Sequence, residues 1–320
     1  MAIVAGIDEA GYGPTLGPLV VTMVALEVPD GLAADGVWDA LSGTVARKSG
    51  RRDARLVVDD SKKVFSQTTG LECLEESVLS FLGVSGSNVD GFRDLLQVLT
   101  ASDGAELTEY PWFRDRDLAL PVASEASHIE SHVDSATRAC AAAGVRVAAI
   151  RCVPIQVGEY NRQVARMRNK SLVLFRACQT LLQHLRSECG PRSCQVFVDK
   201  HGGRNRYGYL LLRAFHDCQV RKLEEGPQVS RYDIAWLGGH MTVSFLEKGD
   251  ALYFPIALAS MVSKYVRELC MKLFNEFWQE RVAGLAPTAG YPQDAARFLA
   301  QISNVERRLA IDRTVMVRAK

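Results

Sequence analysis

The sequence predicts an α/β protein: a mixed β-sheet flanked by helices, with a helical segment toward the C-terminal end. Three observations carry this. Two apolar, strand-like runs stand close together at the start, Ile3–Ile7 and Leu19–Val28, joined by a glycine turn. Further branched runs at Val145–Ile150 and Gln195–Val198 are separated by stretches with helical spacing. From Val266 onward the pattern is helical, with a break at Gly284–Pro292.

The first run ends in two adjacent carboxylates, Asp8 and Glu9, before Gly11-Tyr12-Gly13-Pro14. Two charges at the end of a core strand are costly to desolvate unless something compensates them. A divalent metal is a common compensation, and carboxylate oxygens suit magnesium or manganese. The glycines let backbone N–H groups approach a ligand closely. The blander alternative is two solvated acids before an ordinary turn.

The segment Asp30–Arg55 ends in a basic loop, Arg47, Lys48, Arg51, Arg52 and Arg55, read mainly as a solvated charge cluster. Leu56-Val57-Val58 forms a short strand leading into Asp59-Asp60-Ser61-Lys62-Lys63. The lysines are phosphate donors; alternatively, Ser61 is an ordinary helix N-cap. A helix is expected over Gly70–Leu82. The stretch 83–130 has a looser pattern and reads as an insertion with little regular order or a small subdomain. His128 and His132 share a helix face, but a zinc site there lacks a third ligand. His132–Ala143 reads as helix.

Val157–Arg186 reads as one long helix, basic in its first half (Arg162, Arg166, Arg168, Lys170) and apolar in its second. A phosphate backbone fits that first half about as well as solvent does. The strand Gln195–Val198 ends at Asp199, again a carboxylate closing an apolar run, and a basic glycine-rich turn follows. Val220–Lys248 suggests a hairpin excursion. Asp250 leads a small-residue helix around Ile256–Lys264. Ala289-Gly290-Tyr291-Pro292 opens another helix, and the basic tail Arg307–Lys320 is expected to fray.

The composition sets bounds. The chain has 320 residues, 48% of them apolar, enough for a substantial core. Lys plus Arg total 38 against 37 acidic residues, a net charge of +1, which excludes a protein that coats nucleic acid non-specifically but allows a basic groove. The apolar runs are far shorter than the roughly 20 residues of a membrane span. No secretory signal is evident. Eight scattered cysteines without a CxxC pair read as core thiols of a reducing compartment, so a cytoplasmic location is expected. Cys189 and Cys194 are placed to meet across Gly190-Pro191.

Asp8, Glu9, Asp199 and Asp250 therefore stand at element boundaries, and strand ends on one sheet edge converge on one site. Two metal ions about 4 Å apart need about this many carboxylates, and such pairs serve phosphoryl transfer. The blocks that hold these acids resemble the ribonuclease HII family. Gly6-Ile7-Asp8-Glu9-Ala10-Gly11-Tyr12-Gly13-Pro14 is similar to its opening motif, and Asp60-Ser61-Lys62-Lys63 to its Asp-Ser-Lys-Lys block. Val198-Asp199 resembles the third-acid strand. Gly249-Asp250-Ala251 with Ile256–Glu268 resembles the fourth-acid block and its helix, and Gly290-Tyr291 the C-terminal element. The blocks lie in family order along nearly the whole chain. The chain differs from the family pattern at Tyr12, where the family has a basic residue, at Lys200-His201, and at Pro292.

The resemblance implies a ribonuclease H-like catalytic domain over residues 1–265, with insertions near 83–130 and 202–247, and a C-terminal helical segment over 266–320. It implies a metal-dependent endonuclease that cuts the RNA strand of RNA–DNA hybrids, or at ribonucleotides embedded in DNA. Asp8, Glu9, Asp199 and Asp250 would hold two Mg²⁺ or Mn²⁺ ions, with Asp8 bridging them. The Gly11-Tyr12-Gly13 backbone would read the 2′-OH. Tyr291 would stack on the sugar, and Ser61, Lys62 and Lys63 would lie near the substrate phosphates. Two alternatives remain: a nuclease of the same fold with another nucleic-acid substrate, and a binding protein without turnover. The sequence is silent on oligomeric state.

Overall fold

The computed structural model describes residues 1–48, 53–66, 70–100, 102, 104–190 and 192–319. Strands β1 (Ala2–Ala10) and β2 (Leu19–Val28) lie where the apolar runs predict them. A short α1 (Val37–Ala40) and a two-residue parallel pair, β3 (Val45–Ala46) and β4 (Leu56–Val57), lead to α2 (Ser61–Val64). Helices α3 (Glu72–Val84), α4 (Phe92–Thr100) and α5 (Ala126–Ala143) precede β5 (Arg146–Ile155). Then come α6 (Val157–Met167), α7 (Lys170–Cys189), β6 (Ser193–Asp199) and α8 (Gly208–Ala214). Strands β7 (Gln219–Glu225), β8 (Val229–Trp236) and β9 (Gly239–Leu246) precede α9 (Phe254–Gln279) and α10 (Pro292–Arg308).

Seven strands form one mixed sheet in the order β5-β2-β1-β6-β9-β8-β7. The central trio β1, β6 and β9 runs parallel, and the flanking pairs are antiparallel. Helices cover both faces. Alternate residues of β1 and β2 feed two cores: Val4, Val20 and Val24 pack with α3, α4 and α9, while Ile3, Ile7, Val21 and Met23 pack with α7. The outer strand β7 carries Arg221, Lys222, Glu224 and Glu225, charges that discourage pairing with another sheet. The stretch 202–247 thus builds one side of the main sheet. No described helix is long and apolar enough to cross a membrane.

Helix α9 is the element closest to the sheet. It runs unbroken through residue 265, and 20 of its side chains are buried, so it is apolar almost all round. Its close approach depends on Gly6. A Cβ at that point of β1 would stand 2.2 Å from Ile256 N and 2.3 Å from Pro255 C. The start of α9 therefore sits directly over β1, one residue pair from Asp8.

The stretch 83–130 is more ordered than its sequence pattern predicts. It contains α4, and its aromatic residues Tyr110, Trp112 and Phe113 pack into the core, with Trp112 edge-on to Phe274 of α9 at 4.9 Å. The fully buried Glu75 accepts hydrogen bonds from Val122 N (2.8 Å), Ala123 N (2.6 Å) and Ser124 N (2.8 Å), and from Tyr265 Oη (2.7 Å). Those donors satisfy a carboxylate that would otherwise be costly inside the core.

Two further expectations are corrected. Val157–Arg186 is not one helix: α6 ends at Arg168, whose φ is 51°, and Asn169 caps α7 by accepting from Ser171 N at 2.9 Å. The tail does not fray. Val317 bridges Leu16, Arg318 N donates to Thr15 O (3.0 Å), and Ala319 N donates to Asn161 Oδ1 (2.6 Å). The eight cysteines are free thiols, and Cys189 and Cys194 lie close enough for each thiol to shift the other.

Candidate functional site

The parallel pairing of β1 with β6 places Ile7 beside Val198. The next residue on each strand is an acid, so Asp8 and Asp199 emerge side by side at the same sheet edge. Asp8, Glu9 and Asp199 bring carboxylate oxygens within 4.8 Å of one another. From β9, which pairs Leu246 with Asp199, the chain turns through Gly249–Ala251 and carries Asp250 to the same place. Gly249 N donates to Asp199 Oδ1 at 3.4 Å. Asp250 lies outside the tight three-acid group but lines the same cavity.

That cavity, about 640 Å³, is also lined by Gly11, Tyr12, Gly13, Ser61, Lys62, Lys63 and Tyr291. Every site residue singled out in the sequence therefore faces one space. Tyr291 is 52% exposed, its ring free at the rim. Ser61 is not the N-cap of α2. Asp60 fills that role, accepting from Lys62 N at 3.0 Å, and the buried Ser61 hydroxyl meets Ser260 Oγ at 3.0 Å. Lys63 pairs with Asp59 at 3.0 Å, which leaves Lys62 as the cation acting on Glu9 and Asp199. In the basic loop, Arg47 stacks on Trp38 and donates to Ala251 O (2.8 Å), and Arg55 pairs with Asp53 (2.7 Å). Arg51 and Arg52 lie outside the described residues.

The electrostatics follow from crowding. Burial pushes the Asp8 carboxyl well above the usual carboxylate range, and the charges of Glu9 and Asp199 push it further. Glu9 is raised to about 8, by burial first and then by Asp199. Asp199 is raised to about 6 by burial and by Asp250. Asp250 is raised by burial and by Asp60. Four acids that resist joint ionisation, offering only hard oxygen donors, fit divalent cations of the magnesium and manganese type. By contrast, His128 stands 3.9 Å from Glu76, and neither it nor His132 belongs to a metal-like group among the described residues.

The turn after β1 is held from below. Gly11 has φ +87°, and a Cβ there would stand 2.5 Å from Pro18 O. Thr15 N and Leu16 N donate to Gly290 O at 2.8 and 3.1 Å. Arg318 donates to the carbonyls of Gly11 and Gly17, the latter from Nη2 at 2.6 Å, and lies over the Tyr160 ring at 4.9 Å. Arg267, 1% exposed, donates to Ala289 O at 2.8 Å.

Among the cavity residues to which the sequence reading gave no site role are Ser260, Lys264 and Arg267. Their spacing of i, i+4 and i+7 puts them on one stripe of an otherwise apolar helix. That stripe is the signal by which they are recognisable. Ser263, beside the stripe, donates to Asp8 O at 3.1 Å and meets Thr22 Oγ1 at 2.8 Å, which fixes α9 to the end of β1.

No family model matches the chain. The ribonuclease HII of Saccharopolyspora erythraea is 32% identical over 118 residues, 37% of this chain; the match spans about half of that relative, 48% of its length. Among solved structures, the chain aligns with one in the PCNA:RNase HII complex from Archaeoglobus fulgidus (TM-score 0.46, 15% identity, 99% of this chain and 94% of that one). It aligns with ribonuclease H2 of Pyrococcus horikoshii (TM-score 0.46, 13% identity, 98% and 92%) and with Bst-RNase HIII in complex with Mn²⁺ (TM-score 0.48, 13% identity, 99% and 66%). The acid-bearing blocks stand in order along the chain, and over the matched 118 residues the chain is similar to a ribonuclease HII.

Proposed function

We propose that this chain is a metal-dependent endonuclease that hydrolyses the RNA strand of RNA–DNA hybrids, or cuts at ribonucleotides embedded in duplex DNA, in the cytoplasm. The observation that carries the reading is the convergence of Asp8, Glu9, Asp199 and Asp250, from separate parts of the chain, on one cavity beside a glycine turn. The similarity to a ribonuclease HII over 118 residues supports the choice of substrate.

Asp8, Glu9, Asp199 and Asp250 would hold two Mg²⁺ or Mn²⁺ ions. When bound, such a pair lowers the pKa of an attacking water and stabilises charge on the phosphoryl oxygens. The chain's own residues do the rest. The Gly11-Tyr12-Gly13 backbone accommodates the sugar edge and distinguishes a 2′-OH from hydrogen. Ser61, Lys62 and Lys63, which line the same cavity, would lie near the substrate phosphates. Tyr291, free at the rim, stacks on the sugar next to the scissile junction.

The test is a panel of duplexes carrying zero, one or several ribonucleotides, incubated with Mg²⁺ and then Mn²⁺. Cleavage confined to the ribonucleotide-containing members is the expected result. Equal cleavage of the all-DNA duplex assigns a different substrate, a reading that Tyr12 in place of a basic residue motivates. Binding without product in either metal removes the enzyme assignment.

A further inference from the structure

We propose that Arg168, Lys170 and Arg204 form a shoulder beside Tyr12 that binds the phosphodiester backbone of a nucleic-acid strand where it leaves the cavity. The proposal rests on the nucleic-acid reading above and extends it to a second contact surface.

The geometry begins at Tyr12, which lines the cavity wall. Lys170 Nζ stands 5.9 Å over its ring. Arg204 is close enough for its charge to act on the Tyr12 phenol. It comes from the glycine-rich turn after Asp199 and donates to Ser171 Oγ at 2.7 Å, which ties that turn to the first residues of α7. Its Nε is buried and lacks a hydrogen-bond partner among the described residues. Arg168 is two residues before Lys170, at the break between α6 and α7.

The charges are notable for their lack of partners. Several other arginines are paired, among them Arg116 with Glu280, Arg146 with Glu27, Arg186 with Asp217, and Arg313 with Glu306. Among the described residues, no carboxylate lies within ion-pair distance of Arg168, Lys170 or Arg204. On a chain of net charge +1, this is a local positive excess next to a cavity of acids. The backbone makes the same point. Arg168 has φ 51°, a conformation that glycine adopts without strain, and its side chain makes no ion pair among the described residues. Lys62 and Tyr12 both line the cavity, and this shoulder adjoins it at Tyr12.

The experiment measures binding without cleavage. The full-length chain in EDTA is titrated onto fluorescent RNA–DNA and all-DNA duplexes across a range of salt concentrations. Each phosphate contact contributes about 0.9 to the slope of log K against log salt. The double variant Lys170→Gln, Arg204→Gln is expected to lower the slope by about 2 and the affinity by about tenfold or more. Arg168→Gly is expected to lower the slope by about 1 while its thermal midpoint holds or rises, an outcome that a merely structural role does not produce. Wild-type slopes and affinities in both variants overturn the proposal, as does a shoulder that binds polyglutamate but neither duplex. A chain that binds duplex through these residues yet cuts no ribonucleotide substrate refutes the nuclease reading alone. A chain that cuts hybrids while the variants keep wild-type salt dependence refutes the shoulder alone.

Discussion

Glu9→Gln removes one of four crowded like charges and should make the metal-free protein more stable while abolishing cleavage. An unfolded glutamate titrates near 4.3, as a rough reference. Folded Glu9 is held at about 8, by burial and then by Asp199. A carboxyl whose folded pKa is raised contributes stability that is complete below the unfolded value and is lost as pH rises through the folded one. The wild-type, metal-free chain should therefore weaken steadily from about pH 4 to about pH 8. At pH 7 the gap corresponds to roughly 3–4 kcal/mol at about 1.4 kcal/mol per unit. Asp8 and Asp199 share that penalty, so a single neutralisation should recover about 2–4 kcal/mol. The assay is urea unfolding followed by circular dichroism in EDTA at pH 5, 6, 7 and 8, repeated with Mg²⁺. The variant should be the more stable protein at pH 8, with a shallower pH profile, and should gain less from Mg²⁺ than the wild type. Parallel pH profiles for the two chains refute the account of the acid cluster.

Three other substitutions test separate parts of the structure. Asp250→Asn should cut hydrolysis of a single-ribonucleotide duplex by about 100-fold or more, a barrier increase of at least about 2.7 kcal/mol, with an unchanged far-ultraviolet spectrum. Gly6→Ala puts a methyl 2.2 Å from Ile256 N, which backbone must move to relieve; a loss of about 2–4 kcal/mol in denaturant titration, or failure to fold, is expected. Arg318→Gln removes the donors to Gly11 O and Gly17 O and should cost about 1–3 kcal/mol. Hydrogen exchange at Thr15, Leu16 and Gly17 should then accelerate while the β2 amides stay protected.

The sequence carried the centre of the sheet well. Strands β1, β2 and β6 are apolar runs bounded by acids or glycines, and their ends carry the residues that meet in the cavity. Its failures have physical causes. The break at Arg168 is invisible because an arginine gives no signal for a left-handed backbone; the Asn169 cap was the only trace. The apolar residues of 83–130 sit at irregular spacing because turns, as well as α4, present them to the core. The order of β7, β8 and β9 depends on pairing β9 with β6, a contact made across the sheet that no local pattern contains. Arg267 and Arg318 look like surface charges in the sequence. Only the packed turn above them turns their guanidinium groups inward.

The grip of Arg318 on Gly11 and Gly17 closes a loop of roughly three hundred residues, among the widest separations that the chain can span. With α9 seated on β1, the segment left to close is far shorter, so the added entropic cost of this contact is small. A nascent chain that has built its sheet and seated α9 would already own the acids, yet its glycine turn would still be loose. The posture of that turn thus depends on residues near position 318 as much as on the strands that bear the acids.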